Sequence, residues 1–406
     1  MTSTLRFGPC SELTLELPPA VLVADCGRPR GEPLDDPAAA MAAALVEPLN
    51  MPALADCVVR GDHVALVLDP GLPQAPALVA GVVSTLLGAE IEPGNIAILR
   101  TMEDAQASAD DPREALATGV AEQIELITHD PTDKDELRYL ASTREGRPIY
   151  LNRRVHEADL VLPIGCLRVD TAPGYYGIHG GLYPTFSDER ARRRFRVPRV
   201  KKAKARQRRR ETEEVAWLLG LTMIIQIVPA ADGQVLHILA GDVSEVLRQG
   251  RRLCKQAWVH SVPNRASLVV AAIDGGPRQQ TWENVARALA AARRVVVDGG
   301  AIAICTELMD APGPALTQLL DEADRDAALR EIRKHRLIDV LPATELVRAM
   351  DCASVFLLSR LQSEQVESLG VVPVANIGEL TRLSSRFPSC ILLSSAQYAT
   401  VRLEAE

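Results

Sequence analysis

"HVALVLDPGLPQAPALVAGVVSTLLGAE", residues 63–90, changes periodicity within a single turn. Val64 to Leu68 is a continuous apolar run of strand length, with no polar residue to mark a wet face. A strand of that kind is buried on both sides, as in a parallel sheet covered by helices. Asp69-Pro70-Gly71 interrupts the run, and from Pro76 to Glu90 apolar residues recur at helical spacing. Strand, tight turn and helix together form the repeating unit of an α/β fold.

The same alternation recurs in both directions from this stretch. "NIAILR" (95–100), "QIELIT" (123–128), "ADLVLPIG" (158–165) and "MIIQIV" (223–228) continue one series of strands. "ASLVVAAID" (266–274), "GAIAIC" (300–305), "SVFLLS" (354–359) and "CILLSS" (390–395) make a second. Helical candidates lie between them, among them "TWENVARALAAARRV" (281–295) and "PATELVRAM" (342–350). A chain of 406 residues is too long for one ordinary core. The fold class expected is therefore α/β, with two domains, mainly parallel sheets and a cleft between them. The division is placed at "SVPNRAS" (261–267), giving domains 1–262 and 263–406. Ligands of such folds sit outside the C-terminal ends of the strands and in clefts between domains.

Composition narrows the class. Apolar residues at 47% and charged residues at 24% describe a globular chain, not a disordered one. Aromatics are 3%, so Ala, Val, Leu and Ile must build the core. The eight cysteines show no Cys-x-x-Cys spacing, which suits free thiols in a reducing compartment better than disulfides or zinc. Glu12 and Glu16 stand where a signal peptide needs an apolar run, and the uncharged stretch 215–231 reads as a helix end followed by a buried strand. A cytoplasmic protein without membrane segments is expected.

A net charge of −8 argues against general nucleic-acid binding, yet the charge is uneven. From Arg190 to Arg210 thirteen of twenty-one residues are Lys or Arg, within a basic connector at 189–214. Like charges at helical spacing repel, so an exposed, partly disordered connector is the favoured reading. The sharper alternative is an arm for a polyanion, although Phe195 alone interleaves the charges and base stacking has little support.

"GYYGIHGGLYPTF" (174–186) crowds four glycines, three tyrosines and a histidine into one loop after the 158–165 strand. Glycine at that density serves a backbone that turns with positive φ or presses against a ligand. Taken in order, "VALVLDPGLPQAP", "EPGNIAIL", "LITHDP", "EGRPIYLNRRVHEADLVLPIG", "YGIHGGLYP", "LHILAGDVSEVLRQG" and "DGGPRQQTWENVARALAAA" resemble the nickel-pincer lactate racemase family along nearly the whole chain. The resemblance implies the family fold and, by family, an isomerase that racemises a 2-hydroxy acid through a nickel-pincer nucleotide. That activity calls for a lysine joined to the cofactor, a histidine on nickel, two proton-shuttling histidines, and an arginine and a lysine on the carboxylate.

At each matching position this chain carries another residue. Leu72 replaces an arginine, and "RTMEDAQ" (100–106) has no histidine. Pro173 and Tyr183 stand at a histidine and the lysine, "RFRVPRVKKAK" (194–204) has no histidine, and Asn284-x-x-Arg287 replaces a Gln-x-x-Lys pair. A phenol cannot form the amide-type link of a lysine, and proline offers neither ligand nor base. No bound cofactor and no metal are therefore expected, and the catalytic residues stay unassigned.

The candidates that remain are Asp69, Gly177, His179, Gly180, Gly181 and Tyr183 for the former cofactor site, and Asn284 and Arg287 for an anionic ligand. His179 reads either as a ligand-facing imidazole or as a loop histidine bonded to backbone, and Asp69 as a ligand contact or a turn cap. Arg287 offers a bidentate grip, or is a solvated helix arginine. His129-Asp130 matches a family turn that reads as structural, and the other histidines show no metal-ligand spacing. The expected function is weak binding of a small carboxylate or phosphate in the interdomain cleft by a divergent racemase relative. An inactive sensor or scaffold, and a nucleic-acid-associated protein using the 190–210 arm, are the alternatives.

Overall fold

The computed structural model describes residues 2–107, 111–196, 202–321 and 325–404. Two six-stranded sheets organise it. The first runs Val235–Asp242, Met223–Pro229, Leu160–Cys166, Val64–Leu68, Ile96–Thr101, Glu125–His129, parallel except for the antiparallel edge pair Met223–Pro229 and Val235–Asp242. The second runs Val372–Pro373, Ala353–Leu358, Val296–Cys305, Ala266–Ala272, Cys390–Leu393, Leu22–Cys26, parallel throughout.

The apolar runs are continuous because both faces are covered. In Val64–Leu68 the side chains of Leu66 and Leu68 enter one core, while Ala65 and Val67 enter another on the opposite face. In Ala266–Ala272 Val269 and Ala271 face one core, and Leu268, Val270 and Ala272 the other. That is the period-two alternation of a strand with apolar partners on both sides.

The expected division of the chain is crossed at its beginning. Leu22–Cys26 pairs in parallel with Cys390–Leu393, so a segment placed in the first domain completes the second sheet. Before it, the antiparallel hairpin Thr2–Phe7 and Ser11–Glu16 buries Leu5, Phe7, Leu13 and Leu15 against Leu268, Val270 and Leu392. The cause is an uncovered sheet face: one side of the second sheet has helices, and the hairpin supplies much of the other. Near the expected boundary, Val259–Val262 pairs with Thr400–Leu403 before Ala266 opens the second series.

The connector at 189–214 is also different from the exposed, loose segment expected. Helices span Glu189–Phe195 and Lys202–Leu218, and residues 197–201 lie outside the described part. Acceptors drawn from outside the run make these helices possible. Arg192 pairs with Glu103, Arg194 with Glu211, and Arg209 with Asp170 at 3.2 Å, so the mutual repulsion is offset locally. All eight cysteines are free thiols, and among the described residues no helix is long and apolar enough to cross a membrane.

Candidate functional site

In the first sheet the chain order reverses between Val64–Leu68 and Leu160–Cys166, the place where open α/β sheets leave a crevice at their strand ends. A cleft of about 890 Å³ opens there and reaches the second domain. Asp69 ends the first of those strands, and the Cys166 N–H at the end of the second donates to Asp69 Oδ2 at 3.1 Å. Burial raises the Asp69 pKa above the ordinary carboxylate value, while the Cys166 bond and the charges of Arg168 and Arg287 oppose the rise.

The glycine loop forms one wall. Gly174, Gly177, Gly180 and Gly181 all line the cleft, as do Tyr175 and Tyr176. Two of these glycines have definite reasons. Gly177 holds φ at +100°, a region that side chains rarely adopt, and a Cβ at Gly181 would lie 2.9 Å from Asp69 Oδ1. The loop is therefore pressed against the carboxylate at the strand end.

The facing wall belongs to the helix Trp282–Ala292, whose N-cap Thr281 accepts from the Asn284 N–H at 3.3 Å. Asn284 is buried, and its amide donates to the Gln279 carbonyl at 2.7 Å. Its side-chain oxygen accepts from Arg287 Nη1 at 2.7 Å, which fixes the guanidinium. Arg287 also donates through Nε to the Pro173 carbonyl at 3.3 Å and through Nη2 to Glu283 at 3.1 Å. Burial, and next the like charge of Arg168, push its pKa down to about 10. Asp69, Gly177, Gly180, Gly181, Asn284 and Arg287 thus share one cleft.

Two other candidates lie elsewhere. Tyr183 is fully buried outside the cleft lining, where its hydroxyl donates to Glu211 at 3.0 Å, accepts from Arg194 at 2.7 Å, and its ring packs on Phe195. His179 is 5% exposed, is not among the lining residues, and has a buried Nδ1 without a hydrogen-bond partner. Burial lowers its pKa to about 4, so it is a neutral imidazole at ordinary pH. His129 is structural: its Nε2 meets the Ser187 carbonyl at 3.0 Å and its Nδ1 meets the Asn152 amide at 3.3 Å.

Several cleft residues escaped the sequence reading. Arg168 donates to the Gln397 carbonyl at 3.0 Å and lies 5.0 Å from the centre of the Tyr398 ring. Gln279 spans the domains by donating to the Gly71 carbonyl at 2.7 Å. Asp104, on the short helix Met102–Ala107, accepts from the Gly71 N–H at 2.9 Å. Its pKa is pushed up to about 6, chiefly by burial, with Asp69 and Glu103 adding to the rise. Asp104 sits inside "RTMEDAQ", but an acidic residue in a polar turn carries no pattern of its own.

Fold and site together define a two-domain α/β protein with an arginine- and carboxylate-lined cleft at the strand ends. Residues 10–196 match the model of the lactate racemase N-terminal domain family. The lactate racemase apoprotein from Thermoanaerobacterium thermosaccharolyticum has a similar structure, with a TM-score of 0.76 and 17% identity over 99% of this chain and 100% of that one. A structural-genomics protein from Thermotoga maritima matches with a TM-score of 0.64 and 13% identity, over 92% and 99% of the two chains. No curated protein matches the chain.

These matches correct one expectation. The sequence reading expected no cofactor, whereas the lactate racemase family and fold point to one, the nickel-pincer nucleotide. The described residues fit that group unevenly. Arginines in the cleft suit an anionic portion such as a phosphate. Among the described residues the lining contains neither lysine nor histidine, and no three His, Cys, Asp or Glu side chains gather to hold a metal. A covalent tether and a metal ligand are thus not provided by the described side chains around the cleft.

Proposed function

We propose that this lactate racemase-like protein binds a small anion, a carboxylate or a phosphate, in the interdomain cleft, with Arg287 as the principal contact. The supporting observation is the state of that guanidinium. It is 12% exposed, is repelled by Arg168, and has Glu283, itself 58% exposed, as its ion-pair partner. A buried charge with weak compensation is costly, and an entering anion relieves the cost. Three of the five guanidinium N–H groups are engaged by Pro173, Asn284 and Glu283, which leaves two for a ligand. Asn284 and Pro173 hold the fork in place, so little rotamer freedom is lost on binding.

The reading makes a direct prediction. Calorimetric titration with lactate, other small carboxylates and inorganic phosphate should find a reversible binder. Arg287→Ala should weaken it about tenfold or more, equivalent to roughly 1.4 kcal/mol. Equal affinities for wild type and Arg287→Ala, or no binder at all, would reject the assignment.

A further inference from the structure

Anion binding leaves two carboxyl groups of the cleft without a role. Asp69 and Asp104 stand just beyond the C-terminal ends of the neighbouring parallel strands Val64–Leu68 and Ile96–Thr101. Each has one oxygen held by a backbone N–H: Cys166 on Asp69 Oδ2 and Gly71 on Asp104 Oδ1. The other oxygens, Asp69 Oδ1 and Asp104 Oδ2, accept no hydrogen bond among the described residues and are not sealed from solvent. A carboxylate in such a place repels an arriving anion. A carboxylic acid in the same place donates a hydrogen bond to it.

The charged surroundings distinguish the two groups. Asp69 faces Arg168, Arg287 and Glu283, so cations partly hold it in its charged form. Asp104 faces Arg278 from the second domain, with Asp69 and Glu103 on its own side. Glu103 is in turn held by Arg192, and the neighbouring His129 is kept neutral by burial. Asp104 thus has fewer opposing cations than Asp69 to hold it in the charged form.

We propose that Asp104 takes up a proton from solvent when a small anion enters the cleft, and that Oδ2–H then donates a hydrogen bond to that anion. The inference rests on the anion-binding reading. One O–H bond forms, the proton comes from water or buffer, and no electron moves. A carboxyl already displaced to about 6 needs only a modest further push to be protonated at neutral pH. Arg287 on one side and a protonated Asp104 on the other would give the cleft donors from both domains. A proton would thus be part of the ligand complex.

Calorimetry in pairs of buffers with different ionisation heats tests this between pH 5.5 and 8. The probes are L-lactate and sulfate, whose own charges stay constant over that range. In the wild type, binding should take up a proton, approaching one per anion, and Kd should rise with pH by up to about tenfold per unit. Asp104→Asn keeps an acceptor for the Gly71 N–H; its binding, stronger or weaker than wild type, should show no uptake and no pH slope. Wild-type binding without proton uptake overturns the inference while leaving anion binding standing, and needs no variant to read. The same uptake in Asp104→Asn also overturns it. If neither probe, nor any other small carboxylate or phosphate, binds at any pH, both proposals fall.

Discussion

Taking a carboxyl group out of water favours its neutral form, and taking an imidazole out of water does the same, but the two act on stability at opposite ends of the pH scale. The Asp104 pKa rises from 3.8 to about 6 on folding, so the folded chain holds more protons between those values. Its destabilising contribution grows as pH rises through that window and is complete above it. Asp104→Asn should therefore stabilise the free protein at pH 7.5 by up to about 3 kcal/mol and change little below about pH 3.5, as read by urea unfolding at the two pH values. His179 has the reverse sign. Its pKa falls from 6.5 to about 4, so stability is lost as pH drops through that interval. His179→Leu should flatten the acid side of the stability curve, and an unchanged slope there would count against the buried neutral imidazole. Neither effect was legible in the chain, where Asp104 is one acid in a polar turn and burial is what gives it character. Asp69 was legible as the residue that ends an apolar run, whereas Asn284 and Arg287 were singled out by the resemblance, as the counterparts of the family's Gln-x-x-Lys pair.

Among the elements, the two helices of the basic segment are tied together by Arg208 as well as by the Arg194–Glu211 pair. Arg208 is buried and donates to the carbonyls of Phe195 at 3.1 Å and Arg194 at 2.8 Å, at the C-terminus of the helix Glu189–Phe195. It also lies 5.6 Å from the centre of the Phe195 ring. A cation bonded to the last carbonyls of a helix satisfies acceptors that the helix itself leaves open. Arg208→Met keeps most of the stem, removes the charge-assisted bonds, and should cost about 2–3 kcal/mol, measured by denaturant unfolding. A loss within a few tenths of that for Arg206→Met, which is exposed, would show the cap to be unimportant. The density of charge in this segment pointed to a solvated connector. What it concealed is that the partners of an arginine cluster lie in several places: Glu103 far off in sequence, Glu211 on the next helix, and two carbonyls in the main chain. The glycine loop was the clearer element, since Gly177 and Gly181 announce a constrained backbone before any partner is known.

For the whole molecule, the apolar runs foretold both sheets and the alternation of strand and helix, and they failed at the first thirty residues. A short strand such as Leu22–Cys26 has no neighbour in sequence to declare which sheet it joins. Its partner Cys390–Leu393 lies at the other end of the chain. A chain beginning at residue 30 would leave Leu268, Val270 and Leu392 without the hairpin that covers them. It should bind a hydrophobic dye and lose cooperative unfolding of the second domain. A truncated chain that melts like the full protein would contradict this role for the hairpin.

That same strand means that the polypeptide passes between the two halves twice, once after Cys26 and again near Val262. Two covalent tethers do not permit the halves to drift apart like beads on a single linker; opening becomes rotation about a line through both crossings, and the cleft widens like a book held at two points of its spine. A protease cut between residues 27 and 35 should consequently release no fragment under native conditions. The cut piece would remain as a strand of the second sheet, and would separate from the rest only when that sheet is denatured.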